Sequence, residues 1–161
     1  MPAIHIRNFR AGDEAALRGV FHASVHGLAS THYTRVQRAA WAPLQHDAAQ
    51  WAARLCANQP FVAQAEGDGA IAGFADLQAT GYIDMFFVAP AFAGQGVGRA
   101  LMAHIHAQAA LRGITHLQAD VSLAAERFFV ASGFVVQERQ QVERAGVVLR
   151  NARMAKALVA G

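Results

Sequence analysis

The chain of 161 residues holds one cysteine, Cys56, and one lysine, Lys156. A single thiol closes no intramolecular disulfide, so the fold must rest on burial, and the composition suits a reducing compartment. A single lysine far from any glycine run excludes a G-x-x-x-x-G-K-[S/T] phosphate loop. Charge is sparse too, at 16% of residues, and the basic residues come singly despite a pI near 9.8. The Lys/Arg runs and repeated aromatics that track a nucleic-acid backbone are therefore missing. No window reaches the ~18 uninterrupted apolar residues of a spanning helix, and the first ten residues lack the apolar core of a signal peptide. The expectation is a cytoplasmic protein that contacts neither nucleic acid nor membrane.

What is present is apolar bulk: 54% hydrophobic residues and a mean hydropathy of +0.19. A chain of this size buries roughly 70% of its unfolded surface, enough for a core of its own. With no repeat, low-complexity tract or linker, residues 1–161 read as one domain. Acids and bases balance over residues 1–80, so the net charge of +3 lies entirely in residues 81–161. That mild bias suits a small ligand bearing phosphate.

Ile4 and Ile6 alternate with His5 and Arg7 as in a half-buried strand, and Gly12-Asp13 offers a helix start. Leu17, Phe21, Val25 and Leu28 stripe the helix that follows. Shorter helices are predicted around Arg35–Trp41, before Pro43, and over Asp47–Ala57. Phe61–Ala65 and Ala70–Gln78 read as strands joined by Glu66-Gly67-Asp68-Gly69, and Tyr82–Val88 as a further strand. Leu101, Ile105 and Ala109 mark a helix that Gly113 ends. His116–Val121 is a strand and Leu123–Ser132 a short helix. Two strands joined near Glu143-Arg144-Ala145-Gly146 complete the chain. This order defines an α/β (α+β) chain with a mixed sheet and helices on both faces.

The densest chemical signal is Val88-Ala89-Pro90-Ala91-Phe92-Ala93-Gly94-Gln95-Gly96-Val97-Gly98-Arg99, a strand whose glycine loop opens a helix. Such a loop presents unpaired N–H groups at the positive end of the helix dipole, and its glycines admit an anion without a Cβ clash. A dinucleotide G-x-G-x-x-G would need glycine at Arg99 or at Leu101, so that reading fails.

At this point the sequence resembles the GNAT superfamily of acetyl-CoA-dependent N-acetyltransferases, whose signature is Q/R-x-x-G-x-G/A after a strand ending in V-x-P. Ala93-Gly94-Gln95-Gly96-Val97-Gly98 keeps both glycines, with Ala93 where Gln or Arg is usual. A second element, N-x-x-A-x-x-F-Y followed by x-x-x-G-F, is matched by Ser122, Ala125, Phe128, Phe129 and Gly133-Phe134. Within the superfamily, Gly81-Tyr82-Ile83-Asp84, Phe128-Phe129 and Trp41-Ala42-Pro43 look most like the YafP-type branch. The resemblance implies the GNAT fold, a mixed and mostly antiparallel sheet of six to seven strands between helices. It also implies acetyl-CoA as cosubstrate, held by Phe86, Phe87, Val88, Ala93, Gly94, Gln95, Gly96, Val97, Gly98, Arg99, Ser122, Ala125, Phe128 and Phe129. The N–H of Phe86 would face the oxyanion.

The same resemblance implies that a tyrosine protonates the leaving thiolate, yet Phe129 has no hydroxyl. Tyr82, Ser132 or no residue at all remain as acid, and we take Tyr82. Strand alternation puts Tyr82, Asp84, Phe86 and Val88 on one face and Ile83, Met85 and Phe87 on the other. A carboxylate inside an apolar strand is costly unless paired or used, so Asp84 is the expected general base or amine anchor. Its plainer reading is an ion pair with an arginine. His26, Tyr33, Gln37 and Trp41 form the expected acceptor wall, for a small amine, amino acid or peptide.

His22 and His26 have a metal-ligand spacing but no third partner, so no metal is expected. His104 and His106 read as solvated, and Cys56 as a small core residue. The competing classes are a non-catalytic acyl-CoA-binding module and a nucleic-acid-binding domain. A homodimer is left open.

Overall fold

A computed structural model describes residues 3–159 of the chain. The first half runs β1 (Ile4–Asn8), α1 (Glu14–Leu28), α2 (Arg35–Trp41), α3 (Ala48–Asn58), β2 (Phe61–Ala65) and β3 (Ile71–Ala75). Helix α2 starts on a reciprocal capping box, in which Thr34 Oγ1 accepts the Gln37 N–H at 3.1 Å and Gln37 Oε1 accepts the Thr34 N–H at 2.9 Å. Asp47 caps α3, accepting the N–H groups of Ala49 and Gln50. Asp13 precedes α1 but makes no side-chain cap bond. Its carboxylate instead accepts two bonds from Arg7, at 2.8 and 2.9 Å, and so fastens β1 to α1.

The second half runs β4 (Tyr82–Ile83), β5 (Phe86–Val88), a short 3₁₀ turn at Pro90–Phe92, and α4 (Val97–Arg112). It ends with β6 (His116–Ser122), α5 (Glu126–Ala131), β7 (Val135–Arg144) and β8 (Val147–Ala157). The strands form two four-stranded sheets, β1-β2-β3-β5 and β4-β6-β8-β7. All pairs are antiparallel except β4 with β6.

One expectation is corrected by this topology. Tyr82–Val88 is not one strand: it divides at Asp84-Met85, its first part joining one sheet and its second the other. The break shifts the alternation by one residue. Ile83 packs in the same core cluster as Phe86 and Val88, while Met85 and Phe87 join the opposite one.

Those clusters lie on the two faces of the β1-β2-β3-β5 sheet. Along β2, Val62 faces a cluster with Leu17, Phe21 and Val25 of α1 and Trp51 and Leu55 of α3. Phe61 and Ala63 face the other, with Val97, Leu101, Ile105 and Ala109 of α4 and Leu117, Ala119 and Val121 of β6. Leu28, at the end of the α1 stripe, is 40% exposed and leaves the core. Cys56 is also exposed, because α3 buries the 51/55 side and position 56 turns to solvent.

The two histidines expected to be solvated are both engaged. His104 packs edge-on to Phe61 with ring centroids 4.5 Å apart. His106 Nδ1 lies 2.7 Å from Met102 O, and its Nε2 accepts from Lys156 Nζ at 2.8 Å. Lys156 Nζ also donates to Ser132 O at 2.7 Å, where the carbonyls of α5 end. No described helix is long and apolar enough to cross a membrane.

Candidate active site

The site grows from the break at Asp84-Met85. Asp76, just after β3, is fully buried, and its Oδ1 accepts the N–H groups of both Asp84 and Met85 at 2.8 Å. These donors would otherwise be orphaned where the strand leaves one sheet for the other. Burial pushes the Asp76 carboxyl up to about 6, against the pull of those two N–H groups. On the other side, Gly81 admits β6: its φ is +89°, and a Cβ there would overlap the carbonyl oxygen of His116.

The break also fixes which backbone groups face outward. Asp76 and Met85, then Ala72 and Ala89, occupy bonded positions of the β3–β5 ladder. By antiparallel alternation Phe87 bonds to Phe74, whereas Phe86 and Val88 fall at non-bonded positions and turn their N–H and C=O away from β3. β5 is the last strand of its sheet, so no described strand takes them. Close by in sequence, Gly94 and Gly96 adopt φ of +74° and +83°, and Gly96 caps α4. The first helical bond is Ala100 N to Gly96 O at 3.0 Å, which leaves the N–H groups of Val97, Gly98 and Arg99 ahead of it.

A cleft of about 650 Å³ opens between the diverging strands. Phe86, Phe87, Val88, Gly98, Ser122, Ala125, Phe128 and Phe129 line it, whereas Ala93–Val97 and Arg99 lie outside its lining. Its apolar wall is the triangle of Phe86, Phe128 and Phe129, with centroids 5.4–5.8 Å apart. Ser122 Oγ accepts the Ala125 N–H at 3.2 Å.

Tyr82, Asp84 and Asp120 line the cleft as well. Asp84 Oδ2 accepts from Arg54 Nε and Nη2 at 3.1 and 3.0 Å and from Asn58 Nδ2 at 2.8 Å. Its Oδ1 has no partner among the described residues. The Tyr82 hydroxyl donates to Asp120 Oδ2 at 3.0 Å, and Gln140 holds the other Asp120 oxygen at 2.6 Å. Burial first, and then the Asp120 carboxylate, push the Tyr82 phenol well above its usual range. Ser132 lies away from the cleft, with its hydroxyl bonded to Phe128 O.

The expected acceptor wall separates. Tyr33 and Trp41 line the cleft. The Tyr33 hydroxyl donates to Arg150 O at 2.6 Å and accepts the Leu123 N–H at 2.9 Å, so it ties the α1–α2 connection to β8 and the end of β6. His26 and Gln37 lie outside the lining and bond to the carbonyls of Ala42 and Val148. The His22 ring packs 4.2 Å from that of His26. Three residues not singled out from the sequence complete the site: Asp76, Asp120 and Arg18. Arg18 lines the cleft with its guanidinium 4.9 Å from the Phe21 ring and 5.3 Å from the Trp51 ring.

Two sheets that part beside a glycine-opened helix, with a cleft between them, are the architecture of an acyl-transfer fold. Residues 29–158 match the acetyltransferase (GNAT) domain family. The chain is 34% identical over 153 residues to the protein named uncharacterized N-acetyltransferase YafP of Escherichia coli (strain K12), covering 94% of each. A GCN5-related N-acetyltransferase crystal structure from Rhodopseudomonas palustris superposes with a TM-score of 0.88 at 34% identity, over 98% of this chain and 96% of that one. The PaiA N-acetyltransferase of Thermoplasma acidophilum, solved with coenzyme A, shares the fold at a TM-score of 0.73 and 16% identity, over 96% and 99% of the two chains. The chain belongs to the GNAT acetyltransferase family, in its YafP-type branch.

Proposed function

We propose that the protein binds acetyl-CoA in this cleft and passes the acetyl group directly to the amine of a small molecule, amino acid or peptide within a ternary complex. The observation that carries the reading is the free edge of β5. Phe86 and Val88 offer N–H and C=O groups that pantetheine amides would take as another strand would. The diphosphate would sit on the open N–H groups from Gly94 to Arg99. The coenzyme A bound to the Thermoplasma relative supports the same occupant.

In the reaction the amine nitrogen attacks the thioester carbon, a C–N bond forms, and the oxyanion is met by the Phe86 N–H. The C–S bond then breaks and sulfur leaves with the electron pair. The proton lost by the amine goes to the unoccupied Oδ1 of Asp84, which in this reading anchors the amine and serves as base. The Tyr82 hydroxyl already gives its hydrogen bond to Asp120 Oδ2, and a thiolate whose conjugate acid lies near 8.5 by the cysteine reference leaves tolerably unprotonated at neutral pH. The thiolate therefore departs without a side-chain acid, and Tyr82 positions Asp120.

The missing acid also favours a second reading, a non-catalytic acyl-CoA-binding module. Calorimetry with coenzyme A, followed by thiol release from acetyl-CoA over an amine panel, separates the two. A catalyst gives binding heat and amine-dependent thiol release with intersecting initial-rate lines. The module gives heat alone, and no heat from the folded protein rejects both readings.

A further inference from the structure

We propose that the amine substrate is an α-amino acid with an apolar or aromatic side chain, its carboxylate bound by Arg18. The inference rests on the cleft being the acyl-transfer site and adds the class of acceptor.

Arg18 lines that cleft together with Asp84, the proposed amine anchor. Near the C-terminus of α1, Gly27 packs against Pro90, so close that a Cβ would stand 3.1 Å from its ring, which puts that end of the helix beside the glycine loop. Arg18 is nine positions earlier, roughly 13 Å back along the axis at 1.5 Å per residue. There it neighbours Arg54, whose guanidinium bonds to Asp84.

No carboxylate among the described residues pairs with Arg18. Arg18 is half-buried, and of its five N–H donors only one has a partner among the described residues, Nη2 donating to Pro43 O at 2.7 Å. The faces of Phe21 and Trp51 hold the guanidinium in place but accept no hydrogen bond. Asp84, the nearby carboxylate, is already engaged by Arg54 and Asn58. The cleft lining as a whole carries Arg18, Arg54, Arg144 and Arg150 against Asp84 and Asp120, an excess of positive charge. A partly desolvated guanidinium with free donors is matched by a planar carboxylate, which accepts two of them at once.

The rest of the pocket completes the match. The free Oδ1 of Asp84 receives the amine of the same molecule, and Phe21, Trp41 and Phe87 offer an aromatic wall to its side chain.

The test compares L-phenylalanine with 2-phenylethylamine, which lacks only the carboxylate, in wild type, Arg18→Gln and Arg18→Lys. Wild type is expected to favour L-phenylalanine at least about tenfold in kcat/KM, and Arg18→Gln to bring that ratio toward one. Equal or reversed preference in wild type, or a ratio that survives Arg18→Gln, overturns the proposal. Should Arg18→Gln not fold, Arg18→Lys replaces it, with a ratio cut at least about threefold, since an ammonium cannot pair bidentately. An unchanged ratio in Arg18→Lys then counts as overturning.

Binding is read separately through the fluorescence of Trp41 and Trp51, the two tryptophans of the chain. Carboxylate-selective quenching without turnover supports the Arg18 site while sinking direct transfer. Turnover indifferent to the carboxylate does the reverse.

Discussion

Asp76 accepts the backbone N–H of Met85 at 2.8 Å, and through that bond a side chain just past the end of β3 fixes where the following stretch divides. Asp76→Ala would leave two buried N–H groups without an acceptor, at a cost of about 1–3 kcal/mol each. Denaturant titration is expected to show a loss of at least about 2 kcal/mol, with kcat/KM falling alongside. Asp76→Asn keeps an accepting oxygen and is expected to fold.

The same carboxyl gives a pH signature. Because its folded value is raised to about 6 from 3.8, its contribution to stability is full below 3.8 and is lost as the pH rises through about 6. Melting temperatures of wild type and Asp76→Asn, followed from about pH 4 to about pH 7, should show wild type declining relative to the variant. Parallel curves would contradict this.

Asp84→Asn removes the proposed proton acceptor while keeping a group able to bond Arg54 at reduced strength. A fall in kcat/KM of about 10²–10⁴-fold is expected in steady-state kinetics. An unaltered kcat/KM would leave Asp84 a purely structural partner of Arg54.

Two glycines should respond in opposite directions to alanine. At Gly81 the added methyl meets the His116 carbonyl and the φ of +89° is strained, so Gly81→Ala is expected to destabilise by at least about 2 kcal/mol and to open the β4–β6 pairing. At Gly19, inside α1, nothing lies within 4 Å, so Gly19→Ala should stabilise by about 0.5–1 kcal/mol. Chemical denaturation of both variants checks the pair.

Gly98 lets the first turn of α4 approach Phe128, whose ring would stand 3.3 Å from an added Cβ. Gly98→Ala should narrow the cleft there and raise the KM for acetyl-CoA about tenfold, equivalent to roughly 1.4 kcal/mol, with the melting temperature little changed. Steady-state kinetics and a thermal scan measure both.

What the sequence made legible was local. The strand-to-helix glycine loop, the helices around Arg35–Trp41 and from Asp47 onward and the closing hairpin are written in neighbouring residues, and the structure reproduces them. The divided strand was not legible, because alternation runs through Tyr82–Val88 without interruption and the cause of the break lies eight residues upstream. One signal pointed there: Asp76 interrupts the apolar stretch from Ile71 to Leu77, the same oddity that drew notice to Asp84. Asp120 alternates normally along β6 and gave no sign of its bond to Tyr82. Arg18 sits on the flank of an amphipathic helix, where an arginine reads as solvated until α3 and Pro43 are folded beside it. Cys56 was misread as core because apolar character alone does not say which side of a helix is covered.

The bonds made by Lys156 bear on the family chemistry in another way. A catalyst that modifies nitrogen carries a single side-chain amine of its own, and that one is fastened to Ser132 and His106 rather than free to attack. Stored with its activated donor, the protein offers little of itself to be consumed, and a mass shift on its side chains would be sought at this amine and at the exposed Cys56 thiol.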